Sequence, residues 1–255
     1  MIDMHGYILP GVDGGTKHTQ ESIAIAKAAV DQGIDTIIAT PKYKDENYDN
    51  FKEEIIEQVN ILNQRLQEER IALTVLPGQE IRIYGDMLTN FEKEHLLTLN
   101  ETTEYVLIEL PKDHFPSYIT QLFYDLQIKG YKPIISHPEI NSFIREDPDL
   151  LYNLVKKGAL TQLASASVVG KQSKKVQKFA FQLIESNLAH FIGSEVRSSR
   201  NYIFRDAITK ITKQFGEERT FFFIENANSL IDGNEVIADQ PLRIKKKGLG
   251  IFRKT

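Results

Sequence analysis

Pro133–His137 reads PIISH, a short run that is apolar almost throughout and ends on an imidazole. A run without polar alternation suits a strand covered on both faces, as strands in parallel sheets are. The same form recurs at Met1–His5, Thr36–Thr40, Leu73–Leu76, Tyr105–Leu110, Leu160–Ala164 and Ala189–Gly193. The intervening segments carry a helical period instead. Ile23, Ala26 and Val30 share one face, and Phe51, Ile55, Val59, Leu62 and Leu66 share another. Thr19 is the expected N-cap of the first helix, and Gly33 its C-terminal exit.

Seven strand-then-helix units with no Gly/Ser/Pro linker predict an α/β protein whose strands form a closed or nearly closed (β/α)7 TIM-like barrel. One domain is expected over residues 1–241, followed by a basic tail at 242–255. The competitor is an open, doubly wound sheet, and the placement of polar residues separates the two. His5, Lys42, Glu80, Glu109, His137 and Glu195 each fall at or just beyond a strand's C-terminal end. A barrel gathers those ends on one face, whereas an open sheet scatters them.

Composition narrows the chemistry. The chain has 255 residues, 41% hydrophobic and 26% charged, as ordinary globular proteins do. A formal charge of −4 argues against a nucleic-acid partner, which demands a clustered basic surface. The absence of cysteine excludes disulfides, thiolate metal sites and cysteine nucleophiles. There is no G-x-S-x-G elbow, no Walker A sequence and no G-x-G-x-x-G, and GVDGG at 11–15 reads as a bare loop. No secretory signal and no membrane span is visible, so a cytoplasmic location is expected. The tail from Arg243 mixes cations with Leu249, Ile251 and Phe252, in the pattern of a solvated terminus that can touch an anionic membrane or an acidic partner.

Five imidazole or carboxylate groups, His5, Glu80, Glu109, His137 and Glu195, arrive from five different strands, and that oxygen and nitrogen mixture suits a hard divalent cation such as Mn²⁺. Glu80 in LPGQEI and Glu109 in LIELP carry most weight, because a carboxylate beside an apolar strand is costly unless something positive meets it. His18, His95 and His190 read as surface residues. His114 follows Glu109 closely enough to reach the rim.

GIDTIIATP, LPGQEIRIYG, QLFYDLQIKGY, PIISHPE and REDPDLLY resemble the manganese-dependent bacterial protein tyrosine phosphatases of the PHP superfamily, which are linked to capsule and exopolysaccharide synthesis. The resemblance runs from Met1 to about Pro241 and implies a distorted (β/α)7 barrel with three metal ions, acting on phosphotyrosine proteins such as a bacterial tyrosine autokinase. Carried over residue by residue, it makes His5, Glu80 and His137 catalytic and His5, Glu80, Glu109, His137 and Glu195 metal ligands. Several positions depart from the pattern. Tyr7 stands for the second His of H-x-H, Gly14 for the second Asp of D-D-G, Lys42 for the His after T-P, and Glu195 and Arg197 for D-x-H. Ile140 replaces the Arg of H-P-E-R.

Gly14, Lys42 and Arg197 fall where the resemblance puts the third ion, so one or two Mn²⁺ ions at most are expected. Glu195, one methylene longer than Asp, displaces its carboxylate by about 1.5 Å. Lys42 and Arg197, assisted by Arg200, are cations that can take the lost metal's place and hold phosphate. Turnover then suffers more than binding, because an ammonium cannot ionise water as a metal does, and a phenol with a pKa near 10 at Tyr7 is a poor stand-in for imidazole. The resulting expectation is a phosphatase homologue that is weakly active or a phosphotyrosine-binding pseudoenzyme. The alternatives are an active phosphatase using one or two ions, or a non-catalytic partner of a paralogue or kinase. A homo-oligomer is compatible with all three.

Overall fold

The computed structural model describes residues 1–12, 16–45, 48–93 and 95–244. Gly14, the heart of the GVDGG loop and the tail beyond Ile244 lie outside the described residues. The strands are β1 (Ile2–Gly6), β2 (Thr36–Ala39), β3 (Lys42–Asp45), β4 (Tyr48–Asp49), β5 (Thr74–Pro77), β6 (Glu80–Arg82), β7 (Tyr105–Glu109), β8 (Lys132–Ser136), β9 (Leu160–Ala164) and β10 (Phe191–Gly193). The helices are α1 (Thr19–Asp31), α2 (Lys52–Glu68), α3 (Met87–Glu92), α4 (Ile119–Ile128), α5 (Ser142–Glu146), α6 (Asp149–Lys156), α7 (Ser165–Val169), α8 (Lys174–Glu185), α9 (Phe204–Phe215) and α10 (Glu217–Ile231). Short 3₁₀ turns occupy Pro138–Ile140 and Ser199–Asn201.

All seven expected strands are present. Three more, β3, β4 and β6, are short extensions that the apolar pattern does not mark. Lys42 and Glu80 therefore open strands of their own instead of trailing β2 and β5, and they lie opposite each other in the parallel β3–β6 pair. One sheet runs β1-β2-β5 and the other β10-β9-β8-β7-β6-β3-β4, parallel throughout except for the β3–β4 hairpin. β10 returns to β1, where Gly6 bridges Val196 and Tyr7 N donates to Val196 O at 3.0 Å. The result is a distorted α/β barrel whose ladder is interrupted rather than continuous.

Side-chain alternation divides the core in two. Val106, Ile108, Ile135, Leu163 and Ile192 face outward and pack with the buried stripes of the helices. Met4, Ile38, Tyr105, Leu107, Ile134, Leu160 and Phe191 face inward, closed at one end by Ala227 and Leu230 of α10. Continuing the inward series toward the C-terminal ends of the strands gives Glu109, Ser136 and Gln162. Polar groups thus replace Leu and Ile in the last layer of the interior.

β1 reaches that layer by a register shift. Asp3 pairs with Ile37 but Gly6 with Ala39, so β1 carries one extra residue between them. The extra residue resets the alternation, and His5 joins Met4 on the inner side instead of opposing it. Room for the ring comes from Gly193, where a Cβ would stand 2.6 Å from His5 Cβ and 2.5 Å from Gln162 Nε2.

Helix ends depart slightly from expectation. His18, not Thr19, occupies the N-cap of α1, while Gly33 does exit the helix at φ +79. Leu242 N bonds Ser186 O, and Arg243 pairs with Asp149 at 2.6 Å and covers the Tyr152 ring. The start of the basic tail is therefore tied to the body of the protein. No helix among the described residues is long and apolar enough to cross a membrane.

Candidate metal centre

The polar layer brings together the five residues expected to bind metal. Glu80 is at its centre and fully buried. Its Oε2 accepts from the Tyr7 hydroxyl at 2.5 Å and lies 3.7 Å from His5 Nε2, while its Oε1 accepts from Ser136 Oγ at 2.7 Å and lies 3.8 Å from His137 Nδ1. His137 Nε2 is 3.6 Å from Glu109 Oε1, and its Nδ1 is 3.5 Å from Glu195 Oε1. Glu80, Glu109 and His137 each offer a donor atom within 4.8 Å of the others, a spacing at which one cation can bridge all three.

Two further features fit a metal. His5 Nε2 and Glu195 Oε1 are buried without a hydrogen-bond partner among the described residues. Burial drives the His5 pKa down to about 3, opposed by Glu195 and reinforced by His137, Arg197 and Lys42, so the ring is neutral at pH 7 as a ligand must be. Its other nitrogen, Nδ1, is fixed by the Gln162 amide at 2.9 Å. Tyr7 and Ser136 each donate to one oxygen of Glu80, leaving each oxygen a further lone pair.

Lys42 alters the site most. Its Nζ lies 2.9 Å from each oxygen of Glu109 and 3.9 Å from Glu80 Oε2, so an ammonium stands among the carboxylates. Arg197 is exposed, and its guanidinium lies 3.6 Å from the centre of the Tyr7 ring, a cation–π stack over the mouth. Arg200 sits on the exposed turn Ser199–Asn201 and makes no hydrogen bond or ion pair with the site residues. Ile140 brings no charge, and the nearby Arg145 is spent on the carbonyls of Glu139 and Ile140.

The field at each group follows from this packing. For His137 burial opposes protonation, but the charges of Glu195, Glu80, Glu139 and Glu109 outweigh it and raise the pKa. Burial and then Glu80 and Glu195 push the Tyr7 phenol far above its ordinary range, leaving it a donor. His137 (φ 35) and Glu195 (φ 53) both adopt the left-handed backbone region that side chains seldom visit. Such conformations cost about 1–3 kcal/mol each and concentrate at functional sites.

Several supports escape an apolar-pattern reading. Asp3, fully buried, accepts from His5 N at 3.2 Å, Ser194 N at 2.9 Å and Tyr202 OH at 2.6 Å, and so ties β1 to the loop that carries Glu195 and Arg197. Burial, partly offset by the bonds from Ser194, Tyr202 and His5, raises its pKa to about 6. A charge between Ile2 and Met4 in an otherwise apolar strand was the available signal. Glu139 Oε1 accepts from Ala164 N at 2.9 Å and braces the turn after His137. Of the other histidines, His18 is exposed and His95 half-buried against Phe51, but His190 is buried and accepts from Thr161 N through Nδ1, which corrects its surface assignment. His114 is exposed and bonded to Asp113.

Residues 1–232 match the family described as capsular polysaccharide synthesis, CpsB/CapC. The chain belongs to the CpsB/CapC family. The tyrosine-protein phosphatase YwqE of Bacillus subtilis (strain 168) is 46% identical over 99% of this chain and 100% of its own length. CapC of Staphylococcus aureus is 34% identical over 93% of this chain and 91% of its own. A crystal structure from work on YwqE and the Streptococcus pneumoniae CpsB, called metal-dependent tyrosine phosphatases there, matches with a TM-score of 0.93, 46% identity, and 96% and 100% coverage. More distantly, the Listeria monocytogenes lactonase Lmo2620 matches with a TM-score of 0.53 and 12% identity, over 96% of this chain and 95% of its own, a likeness of fold alone.

Proposed function

We propose that this chain recognises a tyrosine-phosphorylated protein of capsular polysaccharide synthesis, such as a bacterial tyrosine autokinase, through a phosphatase-type site that takes one divalent ion at most and turns over weakly. The observation that carries this reading is Lys42 Nζ at 2.9 Å from both Glu109 oxygens. A covalently attached cation already neutralises one of the three groups fit to bridge a metal. Mn²⁺ is the ion assigned to Glu80, Glu109 and His137, and when bound it would stabilise charge on a phosphoryl oxygen.

The chain's own residues favour holding phosphate over splitting its ester. Lys42 cancels the charge of Glu109, which would otherwise repel the anion, while the guanidinium of Arg197 stands over the Tyr7 ring and Arg200 is exposed on the following turn. Tyr7 stays protonated and spends its hydroxyl on Glu80. His137 is held protonated over a wider pH range than a free imidazole, and His5 has too low a pKa to take up a proton at neutrality. Neither Tyr7 nor His5 is suited to take a proton from a water at pH 7.

A second reading draws on the unpartnered His5 Nε2 and Glu195 Oε1, which favour a site that still loads metal and still turns over. One experiment decides between them: hydrolysis of a phosphotyrosine peptide with and without Mn²⁺, beside peptide binding by calorimetry. Measurable binding with hydrolysis near background is expected. Turnover well above background that Glu80→Ala abolishes would replace the first reading by the second.

A further inference from the structure

The second half of the barrel carries a set of cations that the metal site does not use. Between Ser165 and Ile184 there are four lysines, Lys171, Lys174, Lys175 and Lys178, and no acidic residue, in a chain whose formal charge is −4. All four are exposed, and none makes a side-chain hydrogen bond or ion pair with a described residue. Phe179, Ala180, Leu183 and Ile184 bury the other face of α8, so the lysines form a strip on its outer side. Lys174 and Lys178 are four residues apart on α8, which puts like charges side by side, and Lys171 lies on the bend just before the helix.

This arrangement works against the fold. Like-charged neighbours at that spacing repel, and Lys174 and Lys175 occupy the first turn of α8, where the helix dipole disfavours cations. No carboxylate among the described residues pairs with them. The strip also stands at the site's end of the barrel: β9 ends at Ala164, α7 caps it, and α8 sets out from there and packs on the turn Pro138–Ile140 that follows His137.

We infer that Lys171, Lys174, Lys175 and Lys178 form a docking strip for the acidic flank of the phosphotyrosine polypeptide that the neighbouring site recognises. The inference rests on the proposed function for the phosphate but not for the flank. An anionic membrane fits less well, since none of the exposed large apolar side chains lies on this segment to anchor in lipid. Nucleic acid fits less well for want of aromatic groups interleaved with the lysines. What remains is an extended chain of Asp and Glu, attracted over a Debye length and held weakly enough to leave.

The test compares the parent with Lys171→Glu/Lys174→Glu/Lys178→Glu by fluorescence anisotropy, using three peptides: phosphotyrosine with acidic flanks, phosphotyrosine with neutral flanks, and the acidic peptide without phosphate. The new acids suit the start of a helix, so the variant is expected to melt no lower than the parent. Affinity for both acidic peptides should fall by roughly tenfold or more at low salt, a loss that shrinks above about 0.5 M salt, with the neutral-flanked peptide unchanged. Undiminished affinity for the acidic peptides overturns the strip, as does an equal loss on the neutral-flanked one. Tighter parent binding to anionic phosphatidylserine vesicles or an oligonucleotide than to the acidic peptides overturns its occupant. If the parent binds the acidic peptide but neither phosphate group adds affinity, the strip stands and the phosphotyrosine reading of the site fails.

Discussion

Removing Lys42 should make this protein a better metal binder and a less stable one. The ammonium contacts both oxygens of Glu109 at 2.9 Å, with the Lys42 side chain 16% exposed and the Glu109 side chain 8%. A cation entering between Glu80, Glu109 and His137 must displace or oppose it. Hydrogen bonds to charged groups contribute about 1.5–3 kcal/mol, so their release corresponds to roughly ten- to hundredfold tighter binding of Mn²⁺ by Lys42→Ala. Without metal, the same variant leaves the Glu109 carboxylate largely buried beside Glu80 with no counter-charge. Breaking such a pair costs about 3 kcal/mol or somewhat less at this partial exposure. The assay is calorimetric titration of Mn²⁺ into parent and variant, with thermal melts in chelator and in excess Mn²⁺. Lys42→Ala should melt lower than the parent in chelator and recover more of its stability on adding the ion. Lys42→Met, which keeps the aliphatic stem, separates charge from packing and should behave alike. A folded Lys42→Ala that binds Mn²⁺ no more tightly than the parent would refute the idea that the lysine occupies the metal's ground.

Gly193→Ala places a Cβ 2.5 Å from Gln162 Nε2 and 2.6 Å from His5 Cβ, distances no real structure tolerates. A loss of about 1–3 kcal/mol by denaturant unfolding is expected, together with weaker Mn²⁺ binding; parent-like values for both would mean that His5 is not positioned by this contact. His190 titrates near 4 when folded, chiefly through burial and then through Arg219, against 6.5 for the free side chain. The unfolded chain binds the extra proton, so this contribution is complete above pH 6.5 and is lost as pH falls toward 4, about 3 kcal/mol in all. His190→Asn, which keeps an acceptor for Thr161 N, should narrow its stability gap to the parent between pH 7 and pH 4.5 in urea melts, and a gap that does not change with pH would contradict this assignment.

The barrel was legible because its signal is coarse: seven apolar runs separated by helical stripes need only their order to define the fold. That His5, Glu80, Glu109, His137 and Glu195 would gather was legible for a similar reason, since each falls at or near the C-terminal end of an apolar run wherever the boundaries lie. What stayed hidden depends on single residues of register or backbone. The bulge between Asp3 and Gly6 decides which way His5 faces, and simple alternation would have set it against Met4. β3 and β6 are too short to show periodicity, so Lys42 and Glu80 looked like loop residues although they pair across a sheet. With left-handed backbones, His137 places Nδ1 3.8 Å from Glu80 Oε1 and Glu195 places Oε1 3.5 Å from that same nitrogen, and neither is a residue type that announces such a backbone. His190 deceived because one polar residue before a strand resembles a surface residue until the neighbouring strand supplies Thr161 as its partner.

The supports of the pocket and its ligands have different physical requirements, and this separates the two kinds of change in the sequence. Gln162 on His5, Asp3 on His5 N and Ser194 N, Ser136 between Glu80 and His137, and Glu139 on Ala164 N are all bonds that hold without any ion. They keep the polar layer in shape. The candidate ligands Glu80, Glu109 and Glu195, by contrast, converge three carboxylates in a nearly dry space, and without compensation that convergence would be strongly unfavourable. Lys42 on Glu109, and Tyr7 and Ser136 on Glu80, supply the compensation from within the chain. A pocket balanced in this way, by one ammonium and two hydroxyls, can fold before it meets a metal. The consequence is asymmetric. Substituting a support such as Gln162 should disturb His5 whether or not metal is present, whereas substituting Lys42 should matter in opposite directions with and without it.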